Sequence, residues 1–212
     1  MKQKTTYLFD FDGTLVDSMP AYISAMLRIL DENNVSYGKD IVKIITPLGY
    51  KGTAEYYKTL GVSLSVEEMM QKMNEYAQKE YAENIQAKAH VIEVLRTLKQ
   101  QGNSLNVLTA SPHSMLDCCL KRLGIFTLFD NVWSCDDFQT TKANPEIYKQ
   151  AADRLGALVQ DVIFLDDNFN ALQTAKTAGM RVYGVYDASS AEYTQEIMKI
   201  SEKYILDFTY LL

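Results

Sequence analysis

The sequence has few cysteines and histidines, no long apolar run and no excess of positive charge. Its 212 residues include only three cysteines and two histidines. Cys118, Cys119 and Cys135 lack the Cys-x-x-Cys spacing typical of metal or redox sites, and free thiols are typical of a reducing compartment. The net charge of −6 argues against a protein that binds the nucleic-acid backbone, because such binding requires a basic surface.

The sequence also lacks the features of exported and membrane proteins. No apolar segment approaches the roughly 18 residues of a membrane span, and the opening MKQKTTYLFD does not have the pattern of a signal peptide. We therefore expect a cytoplasmic protein that neither enters a membrane nor binds nucleic acid. The length fits one domain with an insertion. Nothing in the sequence requires an oligomer, so we expect a monomer.

Short apolar segments alternate with amphipathic helical segments over most of the chain. The predicted strands are TTYLF, SLNVLTA, NVWSC, DVIFLDD and MRVYGVY, with YILDF as a further edge strand. Helical patterns separate them, and several of these begin near a proline and end at a glycine. This alternation predicts an α/β fold with a doubly wound, Rossmann-like parallel sheet that carries helices on both faces.

The alternation is interrupted after the first strand, where residues 18–87 show helical patterns only. Ser18 is predicted to cap the first of these helices, and Ser65 with Glu68 has the spacing of a capping box. The segment PLGYKGTAEYY contains Gly49 and Gly52 and is predicted to be a loop followed by a short helix. We therefore expect a core domain of residues 1–17 and 88–212 that is interrupted by a helical domain of residues 18–87.

Polar residues follow four segments of the predicted core. Ligands of open parallel sheets bind beyond the carboxyl ends of the strands, so these residues should share one edge of the sheet. They are Asp10 and Asp12 after the first strand, Thr109, Ala110 and Ser111 after the second, Lys142 before NPEIY, and Asp166 and Asp167 after VIFL. Several carboxylates in a partly dry cleft would repel one another strongly unless a cation were present.

The chemistry of this edge points to phosphoryl transfer. Oxygen ligands without histidine or cysteine suit Mg²⁺, which uses only one or two carboxylates together with water and substrate phosphate. A remaining carboxylate can act as a nucleophile, and a second acid is then needed to protonate the leaving oxygen. Asp12, on the loop that follows Asp10, is placed for that role. Thr109 can donate to phosphate oxygens, and Lys142 can offset the charge that develops during transfer.

These residues carry a resemblance to a known family. The motifs DFDGTLVDS, NVLTAS, TKANPEIY and VIFLDDNFNALQTAKTAGM resemble those of the haloacid dehalogenase superfamily, and the similarity covers nearly the whole chain. Within it, the chain resembles the capped branch of phosphatases and β-phosphoglucomutases. The resemblance implies that residues 18–87 form a helical cap that closes over the cleft and selects the substrate.

The resemblance also implies a role for each residue of the motifs. It makes Asp10 the nucleophile and a Mg²⁺ ligand, and Asp12 the acid and base whose backbone carbonyl also binds the metal. Thr109 and Lys142 would bind phosphate. Judged from the residues themselves, Ala110 and Ser111 are also placed at the phosphate site, and Ser111 either contacts the phosphate or caps the helix that follows. Asp167 would bind Mg²⁺ directly, and Asp166 either directly or through water. Lys51, in the predicted loop, would meet an anionic leaving group.

The sequence departs from the family pattern at three places. Many members have another aspartate four residues after the acidic pair, where this chain has Ala171. The family's Lys-Pro-x-Pro reads Lys142-Ala143-Asn144-Pro145, which keeps the lysine. The return from the cap, often Pro-Gly-Val, reads Ala89-His90-Val91. We expect metal binding to persist. The different residues at the return from the cap should change the hinge between the cap and the core.

Four functions remain open from the sequence. The first is a Mg²⁺-dependent phosphatase that acts on a small phosphorylated metabolite through an aspartyl-phosphate on Asp10. The second is a β-phosphoglucomutase-like mutase, but the matching positions are Tyr22 and Lys51, where those enzymes usually carry histidine and arginine. The third is a metal-independent dehalogenase, which Asp12 and the acidic pair disfavour. The fourth is a non-catalytic phosphate-binding regulatory protein. The sequence favours the phosphatase.

Overall fold

The computed structural model describes residues 4–212 of the chain. These residues form two compact units. The sheet unit consists of the described residues up to Asp17 together with Gln86–Leu212, and the helical unit is Ser18–Ile85. Residues 86 and 87 therefore lie in the sheet unit, whereas the sequence assigned them to the helical insertion.

A single parallel sheet forms the centre of the sheet unit. Its strands are β1 (Thr6–Phe9), β2 (Ser104–Thr109), β3 (Asn131–Ser134), β4 (Val162–Asp166), β5 (Arg181–Val185) and β6 (Lys203–Ile205). The spatial order is β3-β2-β1-β4-β5-β6, and every neighbouring pair is parallel. This confirms the α/β fold with a doubly wound sheet. Because β1 pairs with both β2 and β4, their carboxyl ends are neighbours at the centre of one edge.

The described residues form nine α-helices. They are α1 (Met19–Glu32), α2 (Ile41–Ile45), α3 (Gly49–Thr59), α4 (Val66–Glu83), α5 (Val91–Gln100), α6 (His113–Arg122), α7 (Glu146–Leu155), α8 (Phe169–Ala178) and α9 (Thr194–Ile200). The last five alternate with the strands of the sheet unit. Gly156 and Gly179 end α7 and α8 in the left-handed conformation, as glycines do after helices. Along one face of the sheet, Phe164 of β4 packs in a buried cluster with Tyr148 and Leu172.

The helical unit has its own apolar interior. Met26 of α1, Tyr57 of α3, and Met69 and Met73 of α4 are fully buried and belong to one cluster. The hydroxyl of Tyr57 donates to the Met26 carbonyl at 3.1 Å, so burial leaves no donor unsatisfied there. These contacts pack α3 and α4 against α1.

One of the two predicted serine caps is confirmed. The Ser65 hydroxyl accepts a hydrogen bond from the Glu68 N–H at 3.1 Å, and the Glu68 carboxylate accepts from the Ser65 N–H at 2.7 Å. Ser18 occupies the predicted N-cap position of α1, but its side chain makes no capping hydrogen bond. Its backbone (φ −96°, ψ −16°) lies in the helical region rather than the extended region that an N-cap requires.

The predicted loop in PLGYKGTAEYY is helical. A short 3₁₀ helix covers Thr46–Leu48, and α3 begins at once with Gly49. The conformational freedom of Gly49 is used at that junction, where its φ is +64°. Burial of Thr53, Ala54 and Tyr57 on one face of α3 outweighs the low helix propensity of the glycines. The five-residue α2 was not predicted, since it is too short to show a helical period.

The two chain segments that connect the units are paired within the sheet unit. The Asp17 N–H donates to the Gln86 carbonyl, and the Lys88 N–H donates to the Leu15 carbonyl, both at 3.0 Å. Val16 forms the antiparallel bridge with Ala87 between them. The chain thus leaves the sheet unit at Asp17, directly after the loop that carries Asp12. No helix among residues 4–212 is long and apolar enough to cross a membrane.

Candidate active site

The central strands bring three carboxylates together at the carboxyl edge of the sheet. Asp10 directly follows β1, and its N–H donates to the Leu165 carbonyl of β4 at 2.8 Å. Asp166 ends β4, and Asp167 follows it. One carboxylate oxygen from each of these aspartates lies within 4.8 Å of the corresponding oxygen of the other two. The sequence predicted this meeting from strand ends alone.

Lys142 is the positive group of this cluster. Its Nζ contacts an oxygen of Asp10 and donates to Asp166 Oδ2 at 2.9 Å. The segment before α7 that carries Lys142 is held by Tyr148, whose single hydroxyl hydrogen is shared between the carbonyls of Lys142 (3.2 Å) and Ala171 (3.1 Å). The lysine side chain is only 14% exposed, so its charge acts in a poorly solvated region.

Burial and mutual repulsion alter the pKa values of the cluster. Burial raises the pKa of Asp10 to about 7, with Asp166 and Asp12 adding to the rise and Lys142 opposing it. The pKa of Asp167 also lies well above its ordinary value, first because of burial and then because of Asp166 and Asp10. Burial disfavours the ammonium form of Lys142, but the Asp10 and Asp166 carboxylates outweigh it and raise its pKa. Lys142 is therefore charged, but its single positive charge does not balance the three carboxylates of Asp10, Asp166 and Asp167.

The donor set fits a hard divalent cation. All three clustered residues offer carboxylate oxygens, and neither histidine nor cysteine belongs to this group among residues 4–212. Oxygen donors of this kind suit Mg²⁺. A nearby cation favours the ionised carboxylates and so counteracts the raised pKa values. Asp10, Asp166 and Asp167 are thus the residues that could hold a metal.

Asp12, Thr109 and Ser111 form the other side of the site. Thr109 ends β2 and is buried, and its Oγ1 accepts a hydrogen bond from the Ser111 N–H at 3.1 Å. The Ser111 hydroxyl donates to Asp12 Oδ2 at 2.5 Å. Ala110 is exposed between them. The structure therefore brings Ser111 to Asp12 and links Ser111 to Thr109, whereas Ala110 makes no such contact among the hydrogen bonds of the described residues.

Gly13 and Thr14 also shape the site, and the sequence did not single them out. Gly13 has a φ of +72°, and a Cβ at this position would lie 2.8 Å from the carboxylate of Asp167. Only glycine allows this approach. The buried Thr14 hydroxyl lies 3.4 Å from Asp167 Oδ1 and donates to it. The DGT segment therefore shapes the surroundings of Asp167, which lies 153 residues further along the chain.

Lys88 and Asp187 form a second ion pair that the sequence also missed. The Lys88 Nζ donates to the carbonyls of Gly13 (2.6 Å) and Tyr186 (2.5 Å) and to Asp187 Oδ2 (3.0 Å). Burial disfavours ionised Asp187, but hydrogen bonds from Ser189 and Lys88 outweigh it and lower its pKa. The Asp187 charge in turn raises the pKa of Asp167. A carboxylate from the end of β5 thus influences the cluster.

Two positions discussed from the sequence lie elsewhere. Lys51 is an exposed residue of α3 in the helical unit, and its contact with substrate stays a prediction. Ala171 lies in the first turn of α8 with its methyl group buried in the apolar cluster. Its N–H donates to the Asn168 side chain, which caps α8. This position therefore supplies no carboxylate.

Comparison with known proteins places the chain in a family. Residues 7–185 match the sequence profile described as "Haloacid dehalogenase-like hydrolase". A pyrophosphatase PpaX of Bacillus velezensis is 30% identical, with 87% of this chain and 84% of that protein covered. A phosphorylated carbohydrates phosphatase of Thermotoga maritima is 27% identical, with 84% and 83% covered.

A solved structure supports the architecture over almost the full length. The structure of a putative β-phosphoglucomutase from Thermotoga maritima superimposes with a TM-score of 0.81 at 23% identity. The match covers 95% of this chain and 94% of that one. At this identity the similarity shows the fold alone. Taken with the family profile, it leads to one conclusion: the chain belongs to the haloacid dehalogenase-like hydrolase family.

Proposed function

We propose that this protein is a Mg²⁺-dependent phosphatase that hydrolyses a small organic phosphomonoester through an aspartyl-phosphate on Asp10. The observation that carries the proposal is the position of Asp10. It is a buried carboxylate in contact with Lys142, with the Asp166 and Asp167 oxygens within 4.8 Å. A purely structural cluster would not need so many buried like charges, because each is costly unless chemistry uses it.

In the first step, a carboxylate oxygen of Asp10 attacks the phosphorus atom of the substrate. The bond between phosphorus and the leaving oxygen breaks, and Asp12 gives its proton to that oxygen. Lys142 offsets the negative charge on the transferring group and so stabilises the transition state. The Thr109 Oγ1 accepts the Ser111 N–H and so has its own hydroxyl hydrogen left to donate to a phosphate oxygen.

In the second step, water attacks the phosphorus atom of the aspartyl-phosphate. Asp12, now ionised, takes a proton from the water, and the bond between phosphorus and the Asp10 oxygen breaks. Inorganic phosphate leaves, and Asp10 and Asp12 return to their starting states. Asp10, Asp166, Asp167 and the backbone carbonyl of Asp12 would hold Mg²⁺. When bound, it would neutralise charge on the phosphate and the carboxylates.

The mutase alternative is disfavoured by the side chains of the helical unit. Tyr22 occupies the position where mutases usually carry a histidine, and its ring stacks on Tyr50 with centroids 4.7 Å apart. Burial raises the pKa of the Tyr22 hydroxyl above its ordinary value, so the phenol stays protonated and cannot accept a proton as a base. The helical unit contains no histidine in the sequence. A phosphoryl group returned to a second hydroxyl of the substrate would need such a base.

The substrate class follows from the relatives only in outline. One of them is named for pyrophosphate and another for phosphorylated carbohydrates. Both names describe small phosphorylated molecules, and we propose a small phosphorylated metabolite here. Lys51 is the residue that we propose to recognise an anionic leaving group.

The test is Mg²⁺-dependent phosphate release from a panel of small phosphates, with Asp10→Asn as the inactive control. The panel contains phosphoglycolate, hexose phosphates, nucleotides, pyrophosphate and β-glucose 1-phosphate, the last also assayed for glucose 6-phosphate. Release that requires Mg²⁺ and is lost in Asp10→Asn supports the phosphatase. Isomerisation without release would favour the mutase. No turnover of any compound by a protein that binds Mg²⁺ would favour the non-catalytic alternative.

A further inference from the structure

We propose that Ser111 is a positioning residue for Asp12 rather than a phosphate ligand. This inference deepens the proposed phosphatase function and rests on it, because Asp12 is the group that protonates the leaving oxygen. The sequence predicts that Ser111 either contacts the phosphate or caps the helix that follows. The hydrogen bonds of the structure assign it to a different partner.

Both polar hydrogens of Ser111 are used inside the protein. Its hydroxyl donates to Asp12 Oδ2 at 2.5 Å, and its N–H donates to Thr109 Oγ1 at 3.1 Å. A serine hydroxyl has one hydrogen to donate, so binding a phosphate oxygen would require it to leave Asp12. A hydrogen bond to a carboxylate is also stronger than one between neutral groups.

Ser111 is attached to rigid parts of the sheet unit on both sides. It lies two residues after β2 and is followed by Pro112, the residue that precedes α6. The loop that carries Asp12 is closed by its own hydrogen bonds, from the Leu15 N–H to the Phe11 carbonyl and from the Gly13 N–H to the Val16 carbonyl. A bond between two fixed backbones restricts the remaining freedom of Asp12, which is rotation of its side chain.

The position of Asp12 matters most when the leaving oxygen is strongly basic. An alkoxide leaves slowly unless an acid protonates it, whereas an aryl oxide with a low pKa leaves without help. Misplacement of the acid by about 1 Å can reduce the rate about 100-fold. A hydroxyl both donates and accepts, so the Ser111 bond persists after Asp12 has given up its proton. Loss of Ser111 should therefore affect alkyl phosphates more than aryl phosphates.

The experiment compares Ser111→Ala with wild type on p-nitrophenyl phosphate and on an alkyl phosphomonoester that the wild type hydrolyses. The value of kcat/KM reports the steps up to formation of the aspartyl-phosphate. We expect kcat/KM to fall about 10- to 100-fold for the alkyl phosphate, since acid catalysis contributes on this scale, and to be nearly unchanged for the aryl phosphate. The inhibition constant of inorganic phosphate, a competitive inhibitor, should be the same for Ser111→Ala as for wild type.

Two further variants separate this role from a structural one. Ser111→Thr keeps the hydroxyl and should retain most of the wild-type activity on the alkyl phosphate. Ser111→Val has the same shape as Ser111→Thr but no hydroxyl, and it should lose this activity. This pair also serves if Ser111→Ala does not fold. Thr177→Ala is the matched control, since Thr177 is exposed and its hydroxyl donates to the Gln173 carbonyl of its own helix.

The outcomes are distinct. Equal losses on both substrates together with weaker inhibition by phosphate would overturn the proposal and make Ser111 a phosphate ligand. Equal activity of the Thr and Val variants would also overturn it. If wild type hydrolyses neither substrate with Mg²⁺ present, the phosphatase function itself fails, and the Ser111 proposal fails with it.

Discussion

The two units of the chain fill their interiors with different kinds of side chain. The sheet unit buries the carboxylates of Asp10, Asp166 and Asp187, which are 5%, 1% and 5% exposed. Among the described residues, the helical unit buries no carboxylate. Its interior consists of methionine, tyrosine and aliphatic side chains, and the polar residues it buries are Ser18 and Thr53.

This difference separates the chemistry from the packing. Buried charges lower stability unless they are paired, so a fold retains them where they are used. In the sheet unit, Lys142 offsets Asp10 and Asp166, and Lys88 offsets Asp187. An interior of methionines requires only volume and shape, and it tolerates substitution better than one that depends on fixed hydrogen bonds. The stability of the two units should therefore respond differently to charge, to cavities and to pH.

The largest effect on activity should follow Lys142→Met. It leaves Asp10 and Asp166 without their cation, which should lower the free energy of unfolding by about 3 kcal/mol and phosphatase activity by about 100- to 1000-fold. Without the lysine, the cluster of carboxylates carries more uncompensated negative charge. Mg²⁺ should therefore raise the unfolding temperature of Lys142→Met more than that of wild type. Thermal unfolding at several Mg²⁺ concentrations measures this.

The control for this prediction is Lys142→Arg, which keeps the charge and changes the geometry. It should retain most of the stability and lose activity. Equal stabilisation of wild type and Lys142→Met by Mg²⁺ would show that the metal does not bind among these carboxylates.

The next effect concerns the helical unit. Met73 is fully buried on α4, and Met73→Ala should destabilise this unit by about 2–5 kcal/mol because of the cavity it leaves. Hydrogen exchange should accelerate in α1, α3 and α4 and stay slow in β1, β2 and β4. Below the unfolding temperature, kcat for p-nitrophenyl phosphate should change little.

The matched control is Met198→Ala on α9, where the methionine is 50% exposed and its removal leaves no cavity. Faster exchange throughout the sheet after Met73→Ala would contradict the independence of the two interiors.

The difference between the two units also helps to explain which features of the structure the sequence predicts. The sheet and the residues at its carboxyl edge follow from a local pattern, in which a short apolar segment ends at a polar residue. Asp10, Thr109 and Asp166 were found in this way. Their supporting contacts were not, because the Thr14–Asp167, Ser111–Asp12 and Lys88–Gly13 pairs join residues 75 to 153 positions apart. No periodicity in one sequence encodes such pairs.

Two predictions from local sequence failed, each for a different reason. The glycines of PLGYKGTAEYY favour a loop, but tertiary burial of one face of α3 overrides them. Ser18 has the right residue type for a cap, but its backbone is already helical. Residue type thus predicts a cap only when the chain enters the helix from an extended conformation.

The smallest expected effect is a dependence of the stability of the sheet unit on pH, which the helical unit should not share. His113 of α6 is held between Asp117 (2.8 Å) and Asp137 (2.9 Å), and the hydrogen bonds that its ring donates to Asp117 and then to Asp137 raise its pKa. A raised folded pKa adds stability that is complete below the unfolded value of about 6.5 and is lost as pH rises through the folded value. These side chains are partly exposed, so screening should limit the effect to under about 1 kcal/mol.

The test compares the unfolding free energies of wild type and His113→Gln between pH 5.5 and 9. The difference should be largest at the acidic end and disappear at the basic end. The sequence of the helical unit contains no histidine, so the acceleration of exchange in His113→Gln at low pH should be confined to α6 and the neighbouring Cys135–Phe138 segment of the sheet unit. A difference that grew with pH would mean that His113 is stabilised in its neutral form, and the assigned hydrogen bonds to the two aspartates would be wrong.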